Sequence, residues 1–84
     1  MDIAVEISLY PLDADFIPPI QDFIDRLRAH ADLKVVTNHL STQVFGAHDR
    51  IFEVLRREMG TSFAAGGKAI FVTKFIGPYQ LADG

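Results

Sequence analysis

Between Ile3 and Tyr10 the large apolar residues occupy every second position. Ile3, Val5, Ile7 and Leu9 alternate with Ala4, Glu6, Ser8 and Tyr10. A period of two belongs to a strand with one covered face, because successive strand side chains point to opposite sides. After Pro18-Pro19 the spacing changes: Ile20, Phe23, Ile24, Leu27 and Ala31 recur three and four apart, as in a helix that buries one stripe. Proline is harmless in a first helical turn and keeps the preceding residue out of the helical region, so the pair marks the helix start.

The remaining segments extend the pattern. Leu33 to Thr37 is rich in β-branched residues and predicts a second strand. Asn38-His39 predicts a two-residue turn, since Asn tolerates positive φ. Leu40 to Phe45 predicts a third strand, with Leu40, Thr42 and Val44 inward, Ser41, Gln43 and Phe45 outward, and Gly46 at its end. Asp49 suits the start of a second helix, where the dipole favours negative charge, and Ile51, Phe52, Leu55, Met59 and Phe63 supply its buried stripe. Gly60, Gly66 and Gly67 interrupt it. Ala69 to Ile76 predicts a last strand, stopped by Gly77-Pro78 before a short tail. The order β-α-β-β-α-β, with right-handed crossovers, specifies a single α+β domain of the ferredoxin-like type: one four-stranded antiparallel sheet with two helices on one face.

Composition sets the limits on partners. Of 84 residues, 28 are Leu, Ile, Val or Phe, which excludes intrinsic disorder. There is no cysteine, so neither disulfides nor thiolate metal sites support the fold. A net charge of −3 with a single adjacent basic pair, Arg56-Arg57, argues against nucleic acid, which demands a clustered basic face. Met1-Asp2 leads straight into a strand, with no basic and apolar leader pattern and no span-length apolar run. No membrane association and a cytoplasmic location are therefore expected.

Two helices cover one face of a four-stranded sheet and leave the other open. The last strand is apolar on both faces, Ala69, Phe71 and Phe75 one way and Ile70, Val72 and Ile76 the other. A strand of that kind is usually covered twice, and the expected cover is a second sheet in a homo-oligomer, dimer or tetramer. Glu6, Ser8, Tyr10, Ser41, Gln43 and Phe45 fall on the same open face. A carboxylate, hydroxyls, an amide and two rings suit a flat hydrogen-bonding heteroaromatic ligand, or else form a polar patch inside an oligomer seam. His30, His39 and His48 have no metal-ligand spacing and read as surface residues. His39-x-Ser41 lacks the glycine turn and acid of a nucleophile site. Gly60 to Lys68 lies between a helix and a strand, the reverse of a phosphate loop, with Ala69 where Ser or Thr must hold magnesium.

The segments Glu6-Ile7-Ser8-Leu9-Tyr10-Pro11-Leu12, Ile17-Pro18-Pro19-Ile20 and Thr37-Asn38-His39-Leu40-Ser41-Thr42-Gln43-Val44-Phe45-Gly46 resemble the YkoF-like thiamine-binding domains. The resemblance spans nearly the whole chain, with His39 and Leu40 as departures at the turn. It implies a ferredoxin-like domain whose sheets pack in dimers and tetramers and which binds thiamine or its hydroxymethylpyrimidine moiety. It further implies a carrier or salvage accessory rather than a catalyst, with no cofactor and no metal. The ligand-binding positions it implies are Glu6, Ser8, Tyr10, Asn38, Ser41, Thr42, Gln43 and Phe45, where strict alternation turns Thr42 inward unless a bulge intervenes. The competing reading is a dimeric α+β barrel enzyme, an isomerase or cofactor-free monooxygenase, with a poised His, Asp or Asn. A purely structural oligomer without a ligand is the third.

Overall fold

The computed structural model describes residues 1–80, so residues 81–84 of the expected tail lie outside the described residues. The chain forms β1 (Asp2–Pro11), α1 (Ile17–Arg28), β2 (Lys34–Thr37), β3 (Thr42–Ala47), α2 (His48–Ala64) and β4 (Ala69–Ile76). The sheet order is β2-β3-β1-β4 and every pairing is antiparallel. This is the ferredoxin-like α+β arrangement, with β1 and β3 central and β2 and β4 as edges.

The period-two alternation is fulfilled where it meets the helices. Ile3, Val5 and Ile7 are buried, as is Val44 opposite Val5. From α1 the buried stripe is Phe23, Ile24 and Leu27; from α2 it is Ile51, Val54 and Leu55. Each such side chain contributes about 1.5–3 kcal/mol on burial, so this layer is what holds so small a domain together. Gly46 lies inside β3 rather than at its end, and glycine suits the position because a Cβ there would stand 2.5 Å from Leu33 Cδ2. No described helix is long and apolar enough to cross a membrane.

Four expectations are corrected. Ala31 lies beyond the end of α1 and is exposed. Phe52 and Phe63 are half-exposed, because the stripe through Ile51, Val54, Leu55 and Glu58 points them sideways toward the edge strand β4. There Phe52 stacks on Phe75 with centroids 4.9 Å apart, and Phe63 meets the edge of Phe71 at 5.3 Å. The turn is shifted by one residue, and β3 begins at Thr42 and runs through Gly46. The Asn38 side-chain carbonyl accepts from the N–H groups of Leu40 and Ser41 at 2.8 and 3.0 Å, which places Asn38 before the reversal. The tip is therefore His39-Leu40, and Leu40 is 88% exposed rather than inward.

His30 is the fourth. Its side chain is 13% exposed and sits between the helices, with Nε2 2.8 Å from Glu58 Oε2 and Nδ1 3.3 Å from an Arg50 nitrogen. Arginine only donates, so Nδ1 accepts and Nε2–H donates to the carboxylate. Arg26 donates to the other Glu58 oxygen at 2.8 Å and to Ser62 Oγ at 2.6 Å. Burial disfavours the charged Glu58, but the bonds from His30 and Arg26 outweigh it and hold the carboxyl below its ordinary value.

Candidate functional site

Pairing of β1 with β3 and β4 builds the open face row by row. Glu6 lies opposite Gln43 on one side and Lys74 on the other. Ala4 lies opposite Phe45 and Ile76, and Ser8 opposite Val72. Ala4, Glu6, Gln43, Phe45, Lys74, Ile76 and Tyr79 are among the residues around a hollow of about 330 Å³ on this face. That volume is at the small end of ligand sites and matches a single ring rather than a large molecule.

Glu6 is held rather than free. Ser41 Oγ donates to Oε2 at 3.0 Å, while Oε1 stands 3.9 Å from Lys74 Nζ, beyond hydrogen-bond range. Ser41 is itself fixed by the Asn38 side chain and by its own carbonyl, which accepts from Asn38 N–H at 3.1 Å. The loop thus sets the carboxylate's orientation and leaves one oxygen facing the hollow.

The aromatic wall includes a residue the sequence reading passed over. Tyr79 returns onto the sheet, its N–H donating to the Asp2 carbonyl at 2.8 Å. Its ring lies 5.7 Å from that of Phe45, inclined by 34°. Gly77 permits the return, since a Cβ there would meet Ile3 Cγ2 at 2.7 Å. The signal lay in Gly77-Pro78, which reads as a strand stop; nothing in alternation shows that the chain then folds back.

The eight anticipated positions divide between two adjoining hollows. Glu6, Gln43 and Phe45 line the open-face one. Ser8, Tyr10, Asn38, Ser41 and Thr42 line a second, of about 180 Å³, between the end of β1, the β2–β3 loop and the apolar residues Ile20, Phe23 and Ile24 of α1. The Ser41–Glu6 hydrogen bond joins the two. Thr42 is 6% exposed and inward, as alternation expects, its hydroxyl 3.1 Å from that of Thr37, because β3 pairs with β1 residue by residue with no bulge. The Asn38 side-chain carbonyl is engaged within the loop. Tyr10 is outward and exposed, toward the far end of β1 from the open-face hollow.

Solved structures share this architecture. Protein SP2199 of Streptococcus pneumoniae aligns with a TM-score of 0.86 at 18% identity, over 99% of this chain and 93% of that one. Protein MJ1052 of Methanocaldococcus jannascii aligns at 0.81 and 21% identity, over 99% and 87%. Protein TM0486 of Thermotoga maritima, described as a candidate thiamine biosynthesis/salvage protein, aligns at 0.81 and 14%, over 89% and 82%. At these identities the likeness speaks for the fold. No curated protein matches the chain significantly. The model of the YkoF-related family, however, matches residues 2–72, which carry both hollows except for the β4 end and Tyr79. The chain belongs to the YkoF-related family.

Proposed function

We propose that this chain is a non-catalytic binding protein for thiamine or its hydroxymethylpyrimidine moiety, serving cytoplasmic thiamine salvage, transport or delivery. The observation that carries the reading is the Glu6 carboxylate, oriented by Ser41 and set beside Gln43 under the Phe45–Tyr79 wall. An aminopyrimidine presents an amino donor next to a ring-nitrogen acceptor. Glu6 takes the donor, Gln43 supplies both a donor and an acceptor, and a ring stacked on Phe45 or Tyr79 adds about 0.5–1.5 kcal/mol beyond its buried area. Family membership and the thiamine-related description of the Thermotoga maritima neighbour support the same ligand class.

The binding face is also the assembly face in this reading. Ile70, Val72 and Ile76 of β4 are about half-exposed there, and a second copy of the sheet covers them in a homo-oligomer. A catalytic reading gains less support, since His30 lies between the helices, His39 at a loop tip and His48 at the start of α2. Isothermal titration with thiamine and with free hydroxymethylpyrimidine tests the proposal. Saturable heat with at least one is expected; none with either at millimolar ligand overturns it. Mass spectrometry of the ligand after incubation is expected to recover it unchanged, and a converted product overturns the non-catalytic assignment.

A further inference from the structure

We propose that Lys74 makes the open-face hollow select an anionic ligand, so that the preferred form is an aminopyrimidine bearing a phosphate monoester rather than the cationic thiamine. The inference rests on the pyrimidine-binding reading above and narrows its ligand class. Lys74 is the only charged residue of β4, an otherwise largely apolar strand, and it lies on the hollow's rim opposite Glu6. Its side chain is 80% exposed and its ammonium 3.9 Å from Glu6 Oε1, so the carboxylate does not consume its donors. The other Glu6 oxygen is already taken by Ser41. When Glu6 accepts from a ligand amino group, the positive charge of Lys74 remains at the rim, with no partner at hydrogen-bond distance among the described residues.

That charge acts differently on the candidate ligands. A neutral hydroxymethylpyrimidine gains or loses little from it. A thiazolium ring attached to the same pyrimidine carries a fixed positive charge, which an adjacent ammonium repels. A phosphate monoester offers oxygens to all three ammonium donors, and hydrogen bonds between ionised partners are the strong ones. Lys34 of β2 lies opposite Phe45 of β3 but lines a neighbouring hollow together with Asp2 and Asp32, which offset its charge, so the preference for an anion rests on Lys74.

The test is a titration series of hydroxymethylpyrimidine, its phosphate monoester and thiamine against the full chain and its Lys74→Gln and Lys74→Glu variants, at low and high salt. Thermal melting of each variant verifies folding, which an exposed side chain is not expected to disturb. For the wild type the ester binds about threefold to tenfold more tightly than the free alcohol, as expected for a partly solvated charge contact, and the gap narrows in high salt. Lys74→Gln abolishes the gap, and Lys74→Glu places thiamine above the ester. If the alcohol binds but the ester binds no better, or the gap survives in Lys74→Gln, the inference is overturned while the pyrimidine reading stands. If none of the three binds the wild type, both fall.

Discussion

At the scale of single residues, the candidate site depends on how Glu6 is aimed. Its placement on the open face follows from alternation alone, and so does that of Gln43 and Phe45. Its orientation does not, because that is set by Ser41 across the start of the β2–β3 loop, and the register of a loop is invisible to periodicity. The Asn38 carbonyl, by capturing two backbone N–H groups, moves the reversal one residue on and delivers Ser41 to the carboxylate. Removing the Ser41 hydroxyl leaves Glu6 free to turn toward water. Ser41→Ala is therefore expected to weaken pyrimidine binding about threefold to tenfold, equivalent to one neutral-to-charged hydrogen bond partly replaced by solvent, with little change in melting temperature. Titration calorimetry beside a thermal melt checks both halves. Glu6→Gln is expected to weaken binding more than Glu53→Gln, since Glu53 lies on α2 and pairs with Arg50. Equal effects would move the site away from the sheet.

At the scale of elements, the helix pair carries a polar seam that the stripe pattern does not announce. Counting apolar residues assigns Phe52 and Phe63 to the α2 core face, whereas the helical period places Val54 and Glu58 there, and Glu58 is only 7% exposed. A carboxylate is tolerated at that depth because Arg26 and His30 hold both of its oxygens. Replacing it by Gln keeps the shape but weakens two charged hydrogen bonds, at a cost of about 1–3 kcal/mol in chemical denaturation at neutral pH. The pH dependence has a definite sign. A carboxyl held below its unfolded value stabilises the fold above that unfolded value, and the contribution is lost as pH falls through the lowered folded one. Acid titration of wild-type stability is expected to show this loss below the ordinary carboxylate range, and Glu58→Gln to show less of it. An identical acid profile in the two proteins would remove Glu58 from the account. The tail poses the same difficulty for sequence reading: Gly77-Pro78 stops a strand, but only contact with Ile3 and Asp2 shows that Tyr79 comes back to the sheet.

At the scale of the molecule, the order of elements was legible because β1 and α1 carry clear periods, Gly and Pro punctuate the segments, and the β-α-β-β-α-β sequence admits few topologies. The split of the anticipated positions into two hollows was not, since it arises where β3 starts two residues later than alternation suggests and opens a cleft beside α1. The surplus of apolar residues over what one small core requires is found on the open face of β4. It is partly explained within the chain on the other face, where Phe52 and Phe63 cover Phe75 and Phe71. Ile70, Val72 and Ile76 remain half-exposed on an edge strand, a liability that the proposed second copy would remove. Light scattering is expected to give an oligomer at micromolar concentration, with Val72→Glu shifting it toward monomer; a wild-type monomer would leave that face without its proposed cover. The claim on which the rest depends is that the open sheet face holds the pyrimidine. Backbone amide shifts recorded by NMR during titration with hydroxymethylpyrimidine test it most directly. Saturating changes gathered on Glu6, Gln43, Phe45, Lys74 and Tyr79 are the predicted result, and changes confined to the helices, or none at millimolar ligand, would contradict it.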